Sequence, residues 1–296
     1  MYYQNDTILF LNGKWLKAEE ASGDLFSQTL HYGNGVFEGI RAYETSGGPQ
    51  IFKAREHFER LHHSAGKINI SIPYSVDELI EISYDLLKKN KLNNAYLRPL
   101  IYSGQQMKLD QSDSINLMMA AWNWPKYFGE ERARVMISSF ERPSPKSIPI
   151  DAKITGTYTN SILATHEAKA KGFDEALLLD GKGYVAEGPG QNFFMEKGGT
   201  LVTPQLGNIL PGITRATIIE LAGELGFPVE ERRFYPEEIN DADAAFFSGT
   251  ATEIAGIKSI GGIDFKTDWV NTMGFDLLLA YRNLVTQNEF RDFTLV

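Results

Sequence analysis

A chain of 296 residues, 43% hydrophobic and 23% charged, has the make-up of a soluble globular protein with room for one large or two medium domains. Its net charge of −9 disfavours nucleic acid, whose phosphates are met by clustered Lys and Arg. The absence of cysteine excludes disulfides, thiolate catalysis and Cys-ligated metal centres, so a nucleophile has to be Lys, Ser, Thr or a carboxylate. No apolar run is long enough to span a bilayer, and MYYQNDTILFLNG lacks the basic start and cleavage site of a signal peptide, so a cytosolic protein is expected.

Residues 7–17 (TILFLNGKWLK) alternate about Asn12-Gly13, a strong hairpin signal, so the first strands are expected to be antiparallel. TLHYGNGVFEGIRAYET reads as strand-rich, with Gly33, Gly35 and Gly39 permitting close backbone approach. After a strand over residues 49–52, KAREHFERLHHSAG (53–66) reads as an amphipathic helix closed by glycine. Phe58, Leu61 and Ala65 share one of its faces, with Arg60 beside them. His57, His62 and His63 lack the H-E-x-x-H spacing; they are read as structural and no metal is expected. Ser75 and Glu78 form a capping box for a helix that carries Leu79, Ile82, Leu86 and Leu87 inward and ends near Asn90. In AYLRPLIYSG, Tyr96, Arg98, Leu100 and Tyr102 fall on one face by period two. An arginine on an inward face needs an anion; otherwise this is a surface face with Arg98 in water.

INLMMAAW (115–122) is a buried strand, and NWPKYFGEE then breaks the pattern. This places an interdomain linker over 123–132, an N-terminal domain over 1–122 and a C-terminal domain over 133–296. The linker aromatics Trp124 and Tyr127 are pocket candidates, against simple interface packing. ARVMISSFER is a further strand, and residues 143–149 approach Lys153 irregularly. Lys153 precedes a Gly-Thr-Tyr-Thr-Asn turn that opens a helical run over 161–171; a strand over 176–179 follows, and Glu187 lies in a glycine-rich turn. An amine and a carboxylate on two tight turns suit pyridoxal-phosphate chemistry, one for a Schiff base and the other for the pyridine nitrogen. The alternative places both at the surface.

LVTP is a hairpin strand. Gly212-Ile213-Thr214 opens a helix whose Ile218, Ile219, Leu221, Ala222 and Leu225 recur at helical spacing, and its unpaired N–H groups suit a phosphate or water. AAFFSGTATEIAGIKSIGG is a strand entering a Ser-Gly-Thr-Ala turn, and the tail over 273–286 is an amphipathic helix. GKGYVA (181–186) has the letters of the dinucleotide fingerprint G-x-G-x-x-A but no helix after it, which disfavours a nicotinamide reading. No nucleophile elbow or Walker A sequence occurs.

KITGTYTNS and EALLLDGKGYVAEGPGQNFF resemble the active-site signature of the class IV, fold-type-IV pyridoxal-phosphate aminotransferases, and within them the branched-chain amino acid aminotransferases. HYGNGVFEGIR, HFERLHHSA, YLRP, LPGITR and SGTATE extend the resemblance over most of the chain. It implies an α+β, two-domain fold with a smaller N-terminal α/β domain and a larger, β-barrel-like C-terminal domain bearing helices. It implies catalytic Lys153, and pyridoxal 5'-phosphate held by Arg60, Lys153, Tyr158, Glu187, Ile213, Thr214 and Thr250. Tyr32, Phe37, Gly39, Arg41, Tyr96, Arg98, Thr250 and Ala251 would bind substrate, joined by Trp124 and Tyr127. The implied reaction moves the amino group of L-leucine, L-isoleucine or L-valine reversibly to 2-oxoglutarate. The implied assembly is a homodimer or higher homo-oligomer. Thr157 stands where this group usually has Asn. Alternatives on the same fold are D-amino acid aminotransferase and aminodeoxychorismate lyase, against which FEGIR and YLRP argue. From other classes come an NAD-linked oxidoreductase and a non-catalytic homologue.

Overall fold

The computed structural model describes residues 3–124 and 132–286. The chain forms two compact units, Met1–Pro125 with Ala152–Thr157, and Lys126–Asp151 with Tyr158–Val296. A single division near residue 130 is expected from the sequence; instead Ala152–Thr157, and Lys153 with it, groups with the N-terminal unit.

In the first unit, β1 (Ile8–Leu11) and β2 (Lys14–Lys17) are joined by Asn12 and Gly13 at φ 48° and 82°, the turn geometry that matches strand twist. The helix α1 (Gln28–Tyr32) follows, its N-terminus capped by the Ser27 hydroxyl and its end closed by Gly33 at φ 69°. The strand-rich reading of this stretch is therefore wrong over its first residues, because the Ser27 and Gly33 caps close a helical turn there. Strands β3 (Gly35–Phe37), β4 (Ile40–Thr45) and β5 (Gly48–Ile51) come next. Then come α2 (Ala54–Lys67), α3 (Val76–Asn90), β6 (Ala95–Ser103) and β7 (Ile115–Trp122). Gly66 lies inside α2 rather than ending it, whereas Ser75 and Glu78 cap α3 reciprocally, as the sequence indicates.

These strands form one sheet in the order β2-β1-β7-β6-β4-β5, with β3 also on β6, and each described pair is antiparallel. Along β6, Leu97 and Ile101 are fully buried, as are Phe58 and Leu61 of α2 and Leu79 and Leu86 of α3. Their neighbours Arg98, Leu100 and Tyr102 are half-buried, so period two gives the sheet a core face and a second face of aromatic and cationic character.

The second unit comprises β8 (Ala133–Ile137), α4 (Tyr158–Ala170), β9 (Glu175–Leu177), β10 (Asn192–Lys197), β11 (Thr200–Thr203) and α5 (Ile213–Glu224). It continues with β12 (Val229–Glu231), β13 (Ala244–Gly249), β14 (Glu253–Ile260), β15 (Ile263–Asp264) and α6 (Met273–Thr286). The strand expected over 176–179 is thus shorter, and Leu179 makes only an isolated bridge to Val185. The sheet runs β12-β11-β10-β13-β14-β8-β9, with β15 on β14. Helix α4 makes the crossover that parallel pairing of β8 and β9 requires.

Val135 and Leu177 from one end of that path and Val202 from the other join Phe193, Met195, Phe247 and Ile257 in one buried cluster. A sheet whose two ends share a core is curled around it, which makes this domain barrel-like. Side chains of the opposite parity point outward: Met136, Ala176 and Leu178 meet Ala164 and Ala168 of α4. Phe194 and Phe246 stack with centroids 5.0 Å apart, and Trp269 meets Phe246 edge-on. Among the described residues no helix is long and apolar enough to cross a membrane, and no group of acidic or histidine side chains could hold a metal ion.

The buried Glu196 of β10 accepts the Gly274 N–H at 2.7 Å, in the first turn of α6. Burial pushes its carboxyl up, and the amides of Met273 and Gly274 oppose that shift. Replacing Glu196 by Ala removes this anchor and should lower the unfolding free energy by about 1–2 kcal/mol, read by denaturant titration. Unchanged stability would mean that α6 is held by its apolar packing alone.

Candidate active site

In the first unit the segment with Lys153 is tied to two elements, α2 and β3. The Lys153 N–H donates to the Ser64 hydroxyl of α2 at 2.9 Å, its carbonyl accepts the Phe37 N–H at 3.1 Å, and Ile154 bridges Val36 of β3. Nζ stands 4.9 Å from the centroid of the Phe37 ring. The turn after it is seated on Gly33, whose carbonyl accepts from the Thr155 hydroxyl and the Gly156 N–H. A Cβ on Gly33 would lie 2.5 Å from the Gly156 Cα, so two facing glycines are the condition for this approach.

Glu38, in FEGIR, is fully buried. Its carboxylate accepts a two-pronged bond from Arg60, Nε at 2.7 Å and Nη2 at 2.9 Å, and a third contact from His57 Nδ1 at 2.9 Å. Burial alone would raise this carboxyl; the Arg60 guanidinium, with the bonds from His57 and Arg60, reverses that and holds it far below the usual range. Burial also holds His57 below its ordinary value, against the pull of Glu38. His57 is thus engaged with Glu38, and Arg60 is pre-oriented by a partner that sequence reasoning missed.

Phe37, Tyr96, Arg98 and Trp124 come together. Arg98 lies over Phe37 (4.7 Å) and donates to the Tyr96 hydroxyl at 3.1 Å, while Tyr96 stacks on Trp124 with centroids 4.8 Å apart. Gly39 makes room for this group, since a Cβ there would fall 1.9 Å from the Tyr96 hydroxyl. Arg98 Nε is buried with no hydrogen-bond partner among the described residues. Arg41 and Trp122 stand opposite Tyr96 on adjacent strands and share its face. Trp122 packs on Tyr96 at 5.5 Å, a neighbour that sequence reasoning missed. Tyr32 is not brought to this cluster: it is half exposed and its hydroxyl donates to the Met107 carbonyl. Thr157 is buried and its hydroxyl has no partner among the described residues. Tyr127 lies outside the described residues.

In the second unit Glu187 is 3% exposed. Its Oε1 meets Arg142 Nη2 at 2.7 Å and its Oε2 accepts from Asn192 Nδ2 at 2.9 Å. The Leu210 N–H reaches both oxygens, at 3.1 and 3.2 Å. Asn192 also donates to the Leu210 carbonyl at 3.0 Å, and its Oδ1 would be 1.9 Å from a Cβ on Gly212. Gly212 is the N-cap of α5 and makes no side-chain cap. Asn192 and Leu210 thus tie the carboxylate to the helix start that carries Ile213 and the buried Thr214. The turn with Thr250 and Ala251 adjoins the Glu187 turn, a Cβ on Gly249 being in ordinary contact with the Gly190 carbonyl at 3.4 Å, and the Ser248 hydroxyl beside it is fully buried without a partner among the described residues. Tyr158 begins α4 and is half-buried.

Arg142 and Asn192 were missed because neither falls in an apolar period; Arg142, expected at the end of the strand ARVMISSFER, lies in an irregular loop because β8 stops at Ile137. Glu38 did carry a signal, an acid inside the apolar run VFEGI. The 181–186 segment is a hairpin turn, Gly183 N–H on the Asp180 carbonyl and Leu179 bridging Val185, so the helix a dinucleotide site requires is missing there.

Because its folded-state pKa is depressed, Glu38 contributes stability that is present above about pH 4.3 and is lost as pH falls through the folded-state value. Glu38→Gln should cost about 3–5 kcal/mol at neutral pH, since it strands Arg60. That deficit should shrink at up to about 1.4 kcal/mol per pH unit on acidification. Denaturant titrations from pH 7 to pH 3 measure it; a deficit independent of pH would contradict the ionised, paired Glu38.

Residues 35–260 match the model of the amino-transferase class IV family. The branched-chain-amino-acid aminotransferase of Pseudomonas aeruginosa is 42% identical over 287 residues, 95% of this chain and 94% of that protein. The crystal structure of the Escherichia coli branched-chain amino acid aminotransferase is similar at TM-score 0.93 and 38% identity, over 98% of each chain. The branched-chain amino acid aminotransferase of Thermobaculum terrenum, in its PLP-bound holo form, gives TM-score 0.90 at 32% identity, over 98% of this chain and 97% of that one. The chain belongs to the class IV aminotransferases.

Proposed function

We propose that this enzyme is a branched-chain amino acid aminotransferase that passes the amino group of L-leucine, L-isoleucine or L-valine reversibly to 2-oxoglutarate, with pyridoxal 5'-phosphate as cofactor. The observation that carries the reading is the frame in the second unit: a buried carboxylate, Glu187, tied through Asn192 and Leu210 to a helix start without a side-chain cap. A carboxylate and a helix N-terminus at fixed spacing suit a ligand with a protonated ring nitrogen and a phosphate. The partnerless Ser248 hydroxyl beside the Thr250 turn and the partnerless Arg98 Nε, both judged among the described residues, also fit anionic groups.

When bound, the cofactor supplies an aldehyde and an electron-withdrawing ring. Lys153 would hold the cofactor through its amine, and Nζ, once displaced by the substrate's amino group, would be the base that takes and returns the proton at the substrate Cα. Glu187 accepts the hydrogen bond of the ring N–H. Arg60, the N–H groups of Ile213 and Thr214, and the Thr250 hydroxyl would hold the phosphate, with Arg60 aimed by Glu38. Tyr158 orients the phenolic oxygen of the ring.

Phe37, Tyr96 and Trp124 give the substrate side chain apolar walls, with Tyr127 as a further candidate. Arg98 and Arg41 receive the second carboxylate of 2-oxoglutarate, and the Thr250 and Ala251 amides the first. A homodimer is the proposed assembly, supported by exposed Leu25, Phe26, Leu30 and Leu109 on the first unit. A cytosolic setting goes with this chemistry.

A donor panel with 2-oxoglutarate as acceptor tests the reading. L-leucine, L-isoleucine and L-valine should all turn over, within about 10–200-fold of one another because an apolar wall discriminates a methylene weakly. Lys153→Ala should abolish turnover while leaving the fold intact. D-alanine outrunning L-leucine would overturn the substrate assignment, and turnover by the Lys153→Ala protein would overturn the choice of lysine.

A further inference from the structure

Glu187 presents an electrostatic problem of its own. A carboxylate taken out of water without an answering charge gives up its ionisation, and a neutral acid would offer the cofactor's ring nitrogen a different partner. Here each oxygen is met by donors: Arg142 Nη2 and the Leu210 N–H at Oε1, Asn192 Nδ2 and the same N–H at Oε2. A carboxylic acid would need one of those positions for its own proton, so the donor set fits the ionised form.

Among the described contacts, the charged group set against Glu187 is Arg142, from the segment after β8; β10 contributes the neutral Asn192, and the loop before α5 contributes an amide. On the same hairpin Asp180 is occupied by Asn208 and by the amides of Lys182 and Tyr184. Arg142 is itself anchored, its N–H on the Leu179 carbonyl at 2.8 Å, and its side chain is 8% exposed. Its Nε is buried without a hydrogen-bond partner among the described residues. A buried guanidinium with an unmet donor is costly, and its placement is explained by the charge it answers.

We infer that Arg142 is a positioning residue that keeps Glu187 ionised and aimed before the cofactor arrives, so that the acceptor for the ring N–H is preformed. The inference rests on the reading of Glu187 as that acceptor. It does not make Arg142 a catalytic residue, since it acts through Glu187.

The test counts protons. The full-length apoenzyme is titrated with pyridoxal 5'-phosphate by calorimetry at pH 7 in two buffers of different ionisation enthalpy. Arg142→Met, in which Glu187 would start protonated, should release up to one proton more per cofactor bound than the wild type, whatever the protonation of the free cofactor. Arg142→Lys, which keeps the charge, should match the wild-type count. Equal counts for wild type and Arg142→Met would overturn the inference.

Glu187→Gln separates this failure from that of the underlying reading. If that variant binds the cofactor as tightly as wild type, Glu187 is not the ring-nitrogen acceptor. If it binds weakly while Arg142→Met leaves the proton count unchanged, the role of Arg142 alone falls. Should Arg142→Met not fold, carbon-13 NMR of the wild-type apoenzyme decides, with the Glu187 carboxyl assigned by its loss in Glu187→Gln. An ionised signal at pH 7 supports the inference, and a protonated one overturns it.

Discussion

A carboxylate removed from water must be answered by positive charge and hydrogen bonds, and this constraint shapes the functional end of both units. Glu38 in the first unit and Glu187 in the second are each buried and each met by an arginine at 2.7 Å. Further hydrogen bonds come from His57 in one case and from Asn192 and the Leu210 amide in the other. Each carboxylate fixes something beyond itself. Glu38 holds the guanidinium of Arg60 in a two-pronged grip, and the Glu187 frame holds the start of α5 through Asn192. The surrounding strands make these positions reproducible, because β3, β6, β10 and β13 are all registered in continuous ladders.

Such an arrangement requires backbones to approach more closely than side chains allow, and that is where three glycines are indispensable. Gly33 faces Gly156, Gly39 sits under the Tyr96 hydroxyl, and Gly212 accommodates Asn192. The first closes the Lys153 turn onto β3, the second lets Tyr96 and Arg98 share a face with Phe37, and the third couples Glu187 to a helix start. Each glycine therefore links a fold feature to a chemical one: a larger residue would displace a functional group, while the core of Phe58, Leu61, Phe193 and Phe247 would remain.

Much of this was legible in the sequence, for physical reasons. Local signals read well: the Asn12-Gly13 turn, the Ser75 and Glu78 capping box, and α6 over Met273–Thr286 depend on neighbours a few residues away. Boundaries set by competing local effects read less well, as at α1, where Ser27 and Gly33 cap a helix inside an apparently strand-forming run, and at Gly66, which α2 tolerates. Lys153 and Glu187 could be picked out from their turns and from family resemblance. Their partners could not, because Arg142 precedes Glu187 by 45 residues in an irregular loop and His57 reaches Glu38 from another element. Charge pairing at long range leaves no period in the chain.

The claim on which the whole account depends is that Lys153 is the residue bonded to pyridoxal 5'-phosphate. Borohydride reduction of the cofactor-loaded protein, followed by proteolysis and mass spectrometry, fixes that bond in place and reads its position. The account predicts a phosphopyridoxyl group on the peptide containing Lys153. A stable modification confined to another lysine, or none on a protein that is catalytically active, would contradict it.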